Sequence, residues 1–472
     1  MVKPIWIFFI DRTVQNKVPL GEYGTYQALL SLSIIFQIIL DFGITSYNSR
    51  VISQNPERLP QIFPSMFTAR LLLSSAYFII ATTWGYAIGY RGIELQLLLG
   101  VLCIQALNSM LSFIRSNISA LQRFKTDGVL SITDKLLMIC ICGILLLIPA
   151  TSQNFKISWF ISAQIGSYAL TSIIAFVVLL KVSKAHIRLH FDKTMIANII
   201  KSSLPYALLI FQMSVYNRAD AMMIERLSTN GKLQADIWAS AFRQLDVANI
   251  LGLMFATMLL PLFGKMLASR DDVRPLIKLC TDILLPFSVI ITVIGIVFSN
   301  DVMQLLYKGA HTSAAMEYKY VFAWLIGSFP AWCMMYIYST LLTANGNLKT
   351  LNIIAFFGVV FNLTLNFILI PRYGSVGGAF TSCVTQSLLS ILFIVACSKI
   401  FDVRFEGKWL LLQALFAIAL TGVALTIAAQ TPLSWIVKAA IVGFAGAVGM
   451  VLFGFVSPSS LKLLMAQKKQ QQ

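Results

Sequence analysis

The chain of 472 residues is 58% hydrophobic and 12% charged, with a formal net charge of +17. Soluble domains carry about 25% charged residues, so this composition excludes a soluble globular protein and indicates a polytopic membrane protein. In a soluble chain the basic excess would suggest a nucleic-acid partner; here the positive-inside rule accounts for most of it, and no nucleic-acid partner is expected.

A membrane crossing takes ~20 apolar residues, which leaves room for about fourteen spans with short loops. They read as 2–16, 22–46, 64–90, 93–115, 129–149, 158–181, 203–226, 236–264, 276–299, 318–343, 350–371, 376–398, 408–428 and 433–455. The first is unusual. Met1 opens almost directly into PIWIFFI, and Asp11 and Arg12 follow at once. An irregular first helix, or a start codon placed inside it, is expected. No small-residue cleavage site follows, so no cleavable signal peptide is predicted.

The loops test this layout. One alternating set, with the C-terminus, holds about twice as many Lys and Arg as the other. That asymmetry places both termini in the cytoplasm. The longest basic connector, KVSKAHIRLHFDKTMIANIIK from Lys181 to Lys201, falls between spans six and seven. Its alternating Ile187, Leu189 and Phe191 suit the membrane surface. His186 and His190 are spaced for a metal, but solvated linker histidines are the expected reading. The seven cysteines fall within apolar spans, have no histidine cluster beside them, and read as inert buried thiols.

An internal echo divides the chain into halves. ISALQRFKT (Ile118–Thr126) follows span four and LTANGNLKT (Leu342–Thr350) follows span ten, with Ala and Lys-Thr in register. A weaker echo pairs EYGTYQALLSL (Glu22–Leu32) with DIWASAFRQLD (Asp236–Asp246). An offset of six spans implies parallel repeats with a cavity between them. The expected fold is therefore all-α, with two pseudo-symmetric six-helix lobes plus two C-terminal helices. The lobes would cover 1–181 and 203–398, joined by the linker 182–202, with the extra helices and tail in 399–472.

Charge inside the spans points to a site. Span seven carries Arg218 and Asp220; span eight carries Arg243 and Asp246, one helical turn apart and able to pair. A lone charge at the bilayer centre costs roughly 2.5–3.5 kcal/mol on insertion scales, so such groups face a cavity or a partner. A charge-paired seam that only fixes helix packing would also satisfy this pattern. Arg12 and Arg218 look deepest. Secondary candidates are Asp41, which closes span two at DFG, Arg70, Asp134 and Lys135. Of these, Arg70, Asp134 and Lys135 lie near span ends, where long side chains snorkel to the interface. Asn352, Asn362 and Asn366 suit hydrogen bonding between helices, and Pro205, Pro261 and Pro330 are candidate helix breaks.

Catalytic motifs are missing. The sequence has no Walker loop, dinucleotide fingerprint or H-E-x-x-H, and no G-x-S-x-G. The loops are too short for a nucleotide-binding domain. A transporter, not an enzyme, is expected, with no cofactor and no metal.

Several stretches together resemble the bacterial polysaccharide flippases, the O-antigen and teichoic-acid exporter group of the multidrug/oligosaccharidyl-lipid/polysaccharide superfamily. They are Asn16–Ile44, Ile118–Thr126, RADAMMIERL (Arg218–Leu227) and Ile237–Lys265. The most specific is STLLTANGNLKTLNIIAFFGVVFNLTLNFILIPRYGSVGGAFTS (Ser339–Ser382). The resemblance covers essentially the whole chain; the shortened first helix departs from it. It implies an undecaprenyl-diphosphate-linked oligosaccharide moved across the bacterial cytoplasmic (inner) membrane from the inner to the outer leaflet, with a polysaccharide polymerase as a further partner. Arg12, Arg218 and Arg243 would then contact the diphosphate, since the guanidinium fork matches phosphate geometry. Asp220 and Asp246 would hold or release those arginines, or couple transport to an ion. A cation-coupled multidrug antiporter, a lipid II flippase and a membrane-embedded enzyme acting on lipid-linked sugar are the alternatives.

Overall fold

A computed structural model describes residues 5–183, 193–403 and 407–455, so residues 184–192 of the basic connector, including His186, Ile187, Leu189, His190 and Phe191, lie outside the described residues. The described residues contain helices and turns and no strand. This is the all-α class that hydrocarbon imposes on a spanning chain whose backbone groups must be satisfied within each segment. Eleven of the described helices are long and apolar enough to cross a membrane.

The chain forms two compact units, Met1–Ala239 and Ser240–Gln472. In the first, a π-helical turn at Trp6–Asp11 leads into α1 (Arg12–Lys17), which is the irregular first helix expected from the sequence. Then come α2 (Glu22–Phe36), α3 (Ile44–Gln54), α4 (Leu59–Ile88), α5 (Gly92–Ala120), α6 (Phe124–Leu147), α7 (Ile157–Ser183) and α8 (Lys193–Leu227). α5 packs along α7, α2 and α4, while α8 packs on α2. α8 holds Arg218 and Asp220 and is not among the eleven apolar helices. The division between the units falls inside α9 (Gly231–Ala268).

The second unit continues with α10 (Arg274–Val297), α11 (Ser299–Leu306), α12 (Ala315–Gly327), α13 (Phe329–Ala344), α14 (Leu348–Phe401), α15 (Gly407–Gln430) and α16 (Trp435–Leu452). α14 is two helices in series, turned at Gly374 (φ 55, ψ −134), and so carries predicted spans eleven and twelve. The two final helices pack on α10 through Ile290, Val293, Phe416, Leu420 and Val442. Large apolar side chains such as Phe356, Phe357 and Phe367 point outward, as a lipid-facing surface requires.

The sequence echo is also a structural one. α5 ends at Ala120 and α6 starts at Phe124; α13 ends at Ala344 and α14 starts at Leu348. Both turns close with the same pair of bonds. Gln122 N–H donates to Ser119 O (2.9 Å) and Arg123 N–H to Ile118 O (3.2 Å). Gly346 N–H donates to Thr343 O (3.1 Å) and Asn347 N–H to Leu342 O (2.9 Å). This is the Schellman closure, which needs a left-handed residue. Gln122 (φ 62) supplies it once and Gly346 (φ 76) the second time.

Two expectations about helix continuity need correction. Span two is not one helix from 22 to 46: α2 stops at Phe36, a 3₁₀ turn follows at Gln37–Leu40, and Gly43 (φ 79) restarts the chain as α3. Of the three prolines, Pro205 and Pro261 lie inside unbroken α8 and α9; only Pro330 coincides with a break, at the α12–α13 junction. A proline near a helix start forfeits an N–H that has no partner there anyway, so it marks that junction without a lost bond.

Candidate functional site

The predicted arginines occupy three helices. Arg12 opens α1, half-buried beside the fully buried Asp11. Arg218 is half-buried on α8, two residues before the fully buried Asp220. α8 packs on α2, and Tyr216, Ala219, Ala221, Met223 and Ile224 are buried on either side of these groups, which places them in the N-terminal unit. Arg243 and Asp246 lie on α9 in the C-terminal unit, each with 14% of the side chain exposed, and the guanidinium stands 3.6 Å from the carboxylate. Charge-assisted hydrogen bonds run to about 2.7–2.9 Å, so this contact holds the guanidinium by charge without clamping it.

The secondary candidates form two clusters in the N-terminal unit. Arg70 does not snorkel to an interface; it is 2% exposed. It donates to Leu40 O (2.9 Å) and Ser109 Oγ (2.7 Å), and also to the Asp41 carboxylate and the Thr45 hydroxyl. Its guanidinium lies 5.0 Å from the centre of the Phe113 ring. Asp41 in turn accepts from Thr45 N (3.0 Å) and Oγ1 (2.8 Å), capping the start of α3. The physical reason for the burial is the break in span two: its freed Leu40 carbonyl and Asp41 carboxylate give the guanidinium partners that water would otherwise supply. Asp134 is buried, and its neighbour Lys135 pairs with it (2.7 Å) while donating to Tyr168 Oη (2.8 Å). Asn366 Nδ2 donates to Asn362 Oδ1 within α14 (3.1 Å).

The structure also holds two polar clusters that the sequence reading passed over. Glu225, its side chain 1% exposed, accepts from Tyr90 Oη at 2.6 Å. Arg226 stacks 3.7 Å over the Tyr90 ring and pairs with Glu94 (3.2 Å), which also pairs with Lys232 (2.7 Å). Tyr90 lies in the loop between α4 and α5; burial, and next the Glu225 carboxylate, hold its phenol pKa above the ordinary value, so it remains a donor. In the second cluster Asp236, at the start of α9, accepts from Gln15 Nε2 (2.5 Å) and from Gly21 N–H (3.2 Å). The carboxylate thereby ties the end of α1 and the turn into α2 to α9. Glu225-Arg226 at the end of RADAMMIERL was visible as a charged span end; the Gln15–Asp236 pairing, 221 residues apart, had no local signal.

Among the described residues no group of three or more His, Cys, Asp or Glu side chains could hold a metal ion. In each unit the predicted charged side chains are guanidinium and carboxylate groups: Arg12, Arg218 and Asp220 in the first, Arg243 and Asp246 in the second. A guanidinium group of this kind can bind and release an anionic head group.

Three comparisons place the fold. The lipid II flippase MurJ in an inward closed conformation superposes with a TM-score of 0.75 at 15% identity, over 96% of each chain. An inward-facing multidrug resistance MATE family transporter of the MOP superfamily gives 0.67 at 14% identity, over 84% of this chain and 94% of that one. The Vibrio cholerae MATE transporter VcmN in its bent form gives 0.55 at 14% identity, over 85% of this chain and 93% of that one. At these identities the likeness shows the fold, a two-lobed transporter and flippase architecture. No curated protein matches the sequence. The family model described as polysaccharide biosynthesis protein matches residues 10–267, more than half of the 472-residue chain. The chain belongs to the polysaccharide biosynthesis protein family.

Proposed function

We propose that the protein is a flippase that carries an undecaprenyl-diphosphate-linked oligosaccharide from the inner to the outer leaflet of the bacterial cytoplasmic membrane. The observation that carries this reading is the set of half-buried arginines, Arg12, Arg218 and Arg243, in a polysaccharide-family chain with a flippase-type fold. A diphosphate and a glycan cannot cross hydrocarbon unaided. Guanidinium groups bind the diphosphate bidentately, and alternating access passes the head group while the polyprenyl tail stays in lipid. Asp246 restrains Arg243 between substrates.

Both termini are cytoplasmic in this reading, six-helix lobes occupy 1–181 and 203–398, and the product is handed to a polysaccharide polymerase. Arg218→Ala and Arg243→Ala are each expected to abolish surface polysaccharide while leaving normal amounts of protein in the membrane. Normal export from both variants would contradict the assignment.

A multidrug antiporter is the second reading, favoured by the likeness to MATE transporters and by the burial of Asp220. It predicts altered sensitivity to cationic drugs with an unchanged pool of lipid-linked sugar.

A further inference from the structure

The C-terminal unit contains a cavity of about 610 Å³ that none of the groups above uses. It is built where two spans begin. Pro275 sits in the first turn of α10, and Asp272 just before it accepts from Arg274 N–H (3.0 Å) and Nε (2.9 Å), fixing the helix start. α15 begins at Gly407, and Trp409 in its first turn donates from Nε1 to Asp282 Oδ1 at 2.5 Å. That bond closes one wall. Asp402 in left-handed conformation (φ 49) turns the chain past the rim, and the buried Ile277, Thr281 and Val403 form the floor.

The lining is charged in both senses. Arg274 and Lys278 stand one helical turn apart on α10, facing the same cavity as Asp272, Asp282 and Asp402. Arg274 is already paired with Asp272, so a simple anion would meet Asp282 and Asp402 beside Lys278, and a simple cation would meet Lys278. A ligand carrying phosphate and ammonium a few ångströms apart is complemented by both. Its phosphate would sit against Arg274 and Lys278, and its ammonium against Asp402 and Asp282.

The position narrows the source. α10 and α15 both start at this cavity, so it lies at the height of the lipid head groups, and an interfacial tryptophan forms part of it. The flanking loops belong to the Lys- and Arg-rich set assigned to the cytoplasm. The volume falls within the range of roughly 300–1,000 Å³ typical of small-ligand sites.

We propose that this cavity binds an amine-bearing phosphodiester of the phosphoethanolamine type. The inner leaflet offers this chemistry as a phospholipid head group, and the cytosol offers it as a free ester. The site is independent of the arginines assigned to transport, so its failure would leave that reading standing.

The test is native mass spectrometry on the purified, delipidated full chain. It would be titrated with phosphatidylethanolamine, with phosphatidylglycerol of the same acyl chains, and separately with soluble glycerophosphoethanolamine. Phosphatidylethanolamine is expected to be retained about tenfold better than phosphatidylglycerol. Asp402→Asn and Lys278→Gln should each remove that preference; both side chains are exposed at the rim and bear no core packing. Binding of the soluble ester with the same sensitivity would support the site and identify a free ligand as its source. Retention of both lipids to the same extent, or a preference that both variants keep, would overturn the proposal. So would phosphatidylglycerol binding that is lost in Lys278→Gln and kept in Asp402→Asn, because it would mark a simple anion site.

Discussion

The two units repeat one turn and break different helices. The turn after α5 and the turn after α13 share their boundaries, bonds and left-handed residue. Yet span two in the first unit is interrupted at residues 37–43, while its counterpart α9 runs unbroken from Gly231 to Ala268 through Pro261. The second unit places its break in the counterpart of α5, at the α12–α13 junction. A turn between spans is set by a few local bonds, so it recurs in both units. A break within a span exposes carbonyls to hydrocarbon and persists only where a side chain from another helix answers them. In the first unit that side chain is Arg70, and the two units are therefore best distinguished by perturbing it.

Arg70→Ala should produce the largest effect. It removes a buried guanidinium from a carbonyl, two hydroxyls and a carboxylate at once, a loss of about 3 kcal/mol for a buried charge pair broken on one side. Thermal unfolding in detergent should show it, whereas a melt like that of the parent would mean the break stands without its cation. Gly43→Val comes next, at about 1–2 kcal/mol, because a β-branched residue cannot hold φ 79 without strain. Urea-induced unfolding of the same preparation measures it, and an unchanged midpoint would remove the glycine from the account. The repeated turns offer a matched pair: Gly346→Ala should lose about 1 kcal/mol, and Gln122→Gly should gain somewhat less. Opposite shifts in the melting temperatures would establish that the two turns are equivalent, and shifts of one sign would separate them. The smallest effect is expected from Pro330→Ala, a few tenths of a kcal/mol, since a proline at a helix start forfeits no bond. Calorimetry that found a large loss there would mean the proline itself makes the break.

These differences also mark what the sequence could disclose. The turns were legible because their signal is local: Ala, then Lys-Thr, at fixed spacing on both sides of a helix end. Spacing of three was enough to pair Arg243 with Asp246, whose contact is made within one turn of α9. Arg70 was misread because its distance from a span end says nothing about Asp41, 29 residues earlier, where the chain leaves its helix. Pro330 and Pro261 look alike in sequence, and only packing decides which one coincides with a break. The Asp236 clasp on Gln15 and Gly21 joins residues more than two hundred positions apart, beyond any periodicity.

The transport we propose moves a lipid-linked sugar past helices that carry Arg218 and Arg243. The most direct measurement is the leaflet distribution of lipid-linked oligosaccharide in cells lacking the gene, complemented with the parent or with either arginine variant. Intermediates trapped on the cytoplasmic face, released by the parent and retained by both variants, are the predicted result. An unchanged distribution in the deletion strain would contradict the account.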